Sequence, residues 1–129
     1  MTRDDVQRWL DAYVDAWRTY EPAAIAALFS DDVRYAYQPY RDPVVGRDAV
    51  VADWLESPDD PGSWEAHYEP YAVDGDRAVA VGTSRYLNPD GTQRTIFYNV
   101  WLLRFEPDGR CAEFIEYWRE PPSETSDAG

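Results

Sequence analysis

Three observations predict an α+β fold: helical periodicity over the first third of the chain, period-two alternation from about residue 64 onward, and strong turn signals between the alternating runs. Helices come first and an antiparallel meander follows. The helices are therefore expected to pack on one face of a curved antiparallel sheet, leaving a cone-shaped α+β barrel open at one end. At 129 residues the chain is long enough for one domain with a real core. That domain is expected over residues 1–120, with residues 121–129, polar, small and acidic, forming a flexible tail.

The first helix is expected over about residues 4–20, where Val6, Trp9, Leu10, Tyr13, Trp17 and Tyr20 make one stripe at i, i+3, i+4, i+7 spacing. Asp4 and Asp5 suit its positive N-terminal end. Glu21-Pro22 restarts the chain, because proline fits the first turn of a new helix. Ile25, Leu28 and Phe29 would supply that helix's buried face, and Ser30-Asp31-Asp32 would end it. Val33 to Tyr37 reads as a short strand, and Gly46-Arg-Asp opens a third helix with Val50 and Trp54 on one face. Strand-like runs then occupy about 64–73, 78–87, 94–106 and 111–119, separated by Asp74-Gly75-Asp76, Asn88-Pro-Asp-Gly91 and Pro107-Asp-Gly109.

The net charge of −13 argues against nucleic acid and anionic membranes as partners. A single cysteine, Cys111, allows no intrachain disulfide and suits a reducing compartment. No stretch has the length or apolarity of a signal peptide core or a membrane span, so a cytoplasmic location is expected. One histidine, one cysteine and no dense carboxylate cluster give no ligand spacing for a metal, and no phosphate-cradling glycine loop or nucleophile elbow occurs. No cofactor is expected. Six Trp and ten Tyr, by contrast, can shape a cavity around an apolar ligand.

The two long runs from Arg94 to Phe105 and from Arg110 to Trp118 set polar groups among bulky rings. Thr95, Phe97, Asn99 and Trp101 share one face of the first, and Phe114, Glu116 and Trp118 share one face of the second. An asparagine and a glutamate facing an aromatic interior need hydrogen-bond partners, since burying them unsatisfied costs several kcal/mol. That pattern describes a lined pocket.

Asp5-Val-Gln-Arg-Trp-Leu-Asp-Ala-Tyr13, Ala27-Leu-Phe-Ser-Asp-Asp-Val33, Val45-Gly-Arg-Asp-Ala-Val50 and Leu103-Arg-Phe-Glu-Pro-Asp-Gly-Arg110 through Trp118, in this order, resemble the nuclear transport factor two-like superfamily. Its members include ketosteroid isomerases, scytalone dehydratases, limonene epoxide hydrolases and SnoaL-like, polyketide-cyclase-like proteins. The resemblance covers about residues 4–120. Tyr13 falls where the ketosteroid isomerases keep an oxyanion-stabilising tyrosine, but Tyr37 and Trp101 stand where that family has its two catalytic aspartates. A phenol with a pKa of about 10 does not replace a carboxylate base, nor an indole a buried acid, so steroid isomerisation by that mechanism is excluded.

The resemblance also implies strand parity. Val79, Val81, Thr83 and Arg85 would look into the cone with Asn99, Trp101, Phe114, Glu116 and Trp118. Tyr35, Tyr37, Trp17, Phe29 and Trp54 would complete the wall. On that parity Arg85 and Glu116 would pair, either as a buried ion pair that fixes the sheet or as a general base with its orienting cation. Limonene epoxide hydrolases use a comparable carboxylate–arginine arrangement with Asn and Tyr holding water; Asn99 and Tyr13 or Tyr37 would take those parts here, although only one pocket carboxylate is evident. His67 faces outward if Trp64, Ala66 and Tyr68 face inward. The opposite faces of the long strands, with Ile96, Tyr98, Val100, Leu102, Ile115 and Tyr117, are too apolar for water and suggest a homodimer through the outer sheet. Two functions fit: acid/base catalysis (isomerase, dehydratase, cyclase or epoxide-hydrolase-like) on a small apolar oxygen-bearing molecule, or non-catalytic binding of one by an accessory dimer.

Overall fold

The structure, a computed structural model, describes residues 1–122, so the tail expected at 121–129 lies almost wholly outside the described residues. Three helices, α1 (Arg3–Thr19), α2 (Pro22–Ala26) and α3 (Arg47–Glu56), cover one face of a six-stranded sheet. Its strands are β1 (Phe29–Ala36), β2 (Val44–Val45), β3 (Trp64–Asp74), β4 (Arg77–Leu87), β5 (Gln93–Phe105) and β6 (Cys111–Arg119). Their order is β2-β1-β6-β5-β4-β3, and the sheet stays open. The meander from β3 to β6 is antiparallel as expected, but β1 joins β6 in parallel, so the sheet is mixed. Most of the chain lies between those two strands, which is the long connection a parallel pair requires.

Local chemistry sets α1 firmly. Thr2 and Asp5 form a capping box: Asp5 N–H donates to Thr2 Oγ1 at 3.1 Å and Thr2 N–H donates to Asp5 Oδ2 at 2.9 Å. At the other end Tyr20 caps the helix with a φ of 52°, a conformation a bulky residue adopts only when its surroundings hold it there. The apolar stripe of α1 is buried: Val6 and Leu10 are fully covered, and the Trp9 indole donates to the Leu28 carbonyl at 3.0 Å.

Phe29 departs from expectation. It opens β1 instead of ending the second helix, because β6 recruits its backbone: Phe29 pairs with Cys111, and Cys111 N–H donates to the Leu28 carbonyl at 2.8 Å. The tertiary ladder overrides a helical sequence pattern.

The face of β4 also differs. Leu87 pairs with Gln93, and an unbroken ladder from there would place Arg85 opposite Thr95 and Val81 opposite Asn99, all inward. The register instead shifts between Tyr86 and Leu87, with Arg94 as the extra residue of a bulge. One residue of slip flips the strand. Ala78, Ala80, Gly82, Ser84 and Tyr86 therefore look inward, and Val79, Val81, Thr83 and Arg85 lie on the outer face. The small inner residues leave room for rings. Gly82 faces Tyr68, and a Cβ there would sit 2.0 Å from the His67 carbonyl oxygen and 2.4 Å from Tyr68 Cδ1. Gly82→Ala is expected to cost about 1–3 kcal/mol, read as a lower urea midpoint at unchanged m-value. An unshifted midpoint would mean that β3 and β4 do not approach so closely.

Candidate functional site

The inner faces of β1 and β3 to β6, with α1 and α3, line an open cavity of about 640 Å³. Eleven aromatic side chains line it, together with Asp53, Glu56, Ser57, Asp59, Ser84, Asn99 and Glu116. Register builds its polar floor. Trp101 lies directly opposite Glu116 across the β5–β6 ladder, and Asn99 lies diagonally one step along. The Trp101 indole Nε1–H donates to Glu116 Oε2 at 2.7 Å, and Asn99 Nδ2 donates to the same oxygen at 2.8 Å. Ser84 Oγ donates to Asn99 Oδ1 at 3.2 Å, which fixes the orientation of the amide.

Glu116 Oε1 takes no hydrogen bond among the described residues, yet no buried side-chain nitrogen or oxygen there lacks a partner. That oxygen is therefore open to the cavity. Burial raises the Glu116 carboxyl above the usual range, against the two hydrogen bonds, which favour its charged form. On the cavity wall the Tyr13 and Tyr35 hydroxyls lie 2.6 Å apart, so one donates to the other and the second proton of the pair has no acceptor among the described residues. Burial pushes both phenols well above their ordinary pKa, and the Glu116 charge adds to the shift. They stay neutral donors at any physiological pH.

Of the residues singled out in the sequence, Tyr13, Trp17, Tyr35, Tyr37, Trp54, Phe97, Asn99, Trp101, Glu116 and Trp118 line this cavity. Four others do not. Arg85 and Thr83 lie on the outer face because of the Arg94 bulge, and Arg85 pairs with Glu65 at 2.6 Å across the edge of the sheet. The pairing of Arg85 with Glu116 is thereby overturned. Both partners of the observed pair are substantially exposed, so it contributes at most about 1 kcal/mol. Phe29 and Phe114 are fully buried in the core beneath the cavity; Phe114 stacks on Tyr35 with ring centroids 4.3 Å apart. His67 is exposed, with Trp64 and Tyr68 buried on the other face of β3.

Sequence reasoning missed the carboxylates of α3 and the loop behind it. Tyr37 donates its hydroxyl hydrogen bond to Asp53. The Trp17 indole donates to Asp59 Oδ2 at 2.9 Å, and Asp59 N–H donates to the Tyr20 hydroxyl at 2.8 Å. The segment Ser57-Pro-Asp-Asp-Pro-Gly62 reads only as a chain break, and nothing in it signals that Asp59 returns to two aromatic residues on α1 and its cap.

The family model described as a SnoaL-like domain matches residues 10–114. Among solved structures, the chain is similar to an NTF-2 like protein of unknown function from Burkholderia xenovorans LB400, with a TM-score of 0.70 and 17% identity over 93% of this chain and 87% of that one. It is also similar to a putative ketosteroid isomerase from Kribbella flavida DSM 17836, with a TM-score of 0.68 and 21% identity over 98% of this chain and 89% of that one. At these identities the likeness shows the fold alone. Comparison with curated proteins gives no significant match.

Proposed function

The chain belongs to the SnoaL-like domain family, and from that premise we propose that it binds a small, mostly apolar, oxygen-bearing molecule in the cavity and moves a proton on it with Glu116. The observation that carries this reading is the carboxylate itself, with Oε2 pinned by Trp101 and Asn99 and Oε1 left open. A base that attacks a weakly acidic C–H bond needs a fixed orientation and a raised proton affinity, and burial supplies the second. In this reading Oε1 takes the proton from a carbon next to a carbonyl. The C–H electron pair moves into the C–C bond and the carbonyl π pair onto oxygen, where the free hydroxyl proton of the Tyr13–Tyr35 pair stabilises it. Return of the proton to either carbon or oxygen completes an isomerisation or exchange.

The test uses 2-tetralone in deuterium oxide, followed by proton NMR. The protein is expected to exchange the hydrogens beside the carbonyl faster than buffer alone. Binding without added exchange would leave a binding protein and remove the catalytic step.

The outer sheet face supports an assembly proposal as well. Tyr98, Val100 and Tyr117 are exposed there, on central strands whose backbones are already paired. A second copy covering this face would double the 14.9 kDa mass in sedimentation equilibrium. A monomer at every concentration would sink it.

A further inference from the structure

Among the described residues, every charged residue that lines the cavity is an acid. Glu116 stands in the floor, and Asp53, Glu56 and Asp59 stand on the side formed by α3 and the loop after it. The remaining wall is aromatic apart from two serines and Asn99. Of the chain's twelve basic residues, none is among the lining groups. The rings and carboxylates are also joined, since Trp17 donates to Asp59 and Tyr37 donates to Asp53. Both acids are thus held in place by the N–H and O–H edges of rings that line the cavity.

We propose that the cavity takes a ligand with a positively charged nitrogen, a protonated or quaternary amine on an apolar skeleton. This narrows the preceding reading, on which it rests: the amine anchors the molecule and its oxygen function reacts. Aromatic faces attract a cation through their ring quadrupoles, most strongly where water is excluded. One lining ring already does so from outside the cavity: the Arg94 guanidinium lies 5.7 Å from the Tyr86 ring centroid. A carboxylate or phosphate ligand would meet four acids and no cation. Over longer range, the net charge of −13 draws cations toward the protein.

The test compares three probes of one shape, 2-aminoindane, 2-indanol and indane-2-carboxylate, by calorimetric titration of the whole chain at neutral pH and low ionic strength. The protonated amine is expected to bind at least about tenfold more tightly than the alcohol, with the preference shrinking as salt is added and the carboxylate not binding. In the double variant Asp53→Asn, Asp59→Asn, amine affinity should fall about tenfold and alcohol affinity stay within about twofold. The ranking in the unaltered protein requires no variant to fold. An alcohol that binds as tightly as the amine overturns the charge preference and leaves the cavity reading standing. Failure of all three to bind overturns both.

Discussion

Glu116→Gln is expected to slow deuterium exchange into 2-tetralone at least about a hundredfold while ligand affinity stays within about threefold. Removing a positioned general base costs this much, and glutamine keeps the shape of the side chain. Its carbonyl oxygen can still accept from Trp101 Nε1 and Asn99 Nδ2, so the floor need not rearrange. The same substitution should raise stability at neutral pH. Burial lifts the Glu116 pKa in the folded protein above its ordinary value of 4.5, so between the two values the folded state holds more protons than the unfolded one. Stability therefore falls as pH rises through that window, and the loss is complete above the folded pKa. Glutamine does not titrate. Its melting temperature should exceed that of the unaltered chain above the window and match it below about pH 4. Exchange that survives the substitution would assign the base elsewhere, and an unchanged melting temperature would mean that the carboxylate is not desolvated.

A loss of activity coupled to a gain in stability is the mark of a group retained for function. It separates Glu116 from groups such as Arg85, whose exposed pairing with Glu65 does no more than decorate the edge of the sheet. The sequence pattern could not make that distinction. The alternation of β5 and β6 places Asn99, Trp101 and Glu116 on one face, and the ladder between these strands is straight where they meet. The alternation of β4 offers two faces, one with Val79 and Val81 and one with Ala78, Ala80 and Gly82, and the family resemblance implies that the first looks inward. The Arg94 bulge selects the second, and a bulge of one arginine leaves no mark in composition or period. Much the same holds for Asp59, whose place depends on how α1 and the loop after α3 come together. Periodicity located the helices and most strand limits, since both follow from neighbours in the chain. Register and loop return follow from distant partners, on which the pattern is silent.

Trp101 touches both Glu116 and the Tyr13 ring, and its substitutions should separate packing from chemistry. It is 2% exposed, with ring centroids of Tyr68, Tyr13 and Phe114 at 4.0, 4.7 and 4.7 Å. Trp101→Ala empties the centre of this cluster and is expected to cost about 3–5 kcal/mol, a large share of the roughly 5–15 kcal/mol that holds a domain of this kind folded. Trp101→Phe keeps much of the ring and removes the indole N–H. Its smaller cost isolates the hydrogen bond to Glu116. That bond favours the charged carboxylate, so its loss should raise the Glu116 pKa further and leave Asn99 as the one donor among the described residues. The acid limb of the exchange rate against pH should then move to higher pH in Trp101→Phe, with the alkaline plateau within about tenfold of the unaltered protein. A structural role for Trp101 would lower the melting temperature and leave the midpoint of the limb in place. A shifted midpoint shows that Trp101 serves to hold the base.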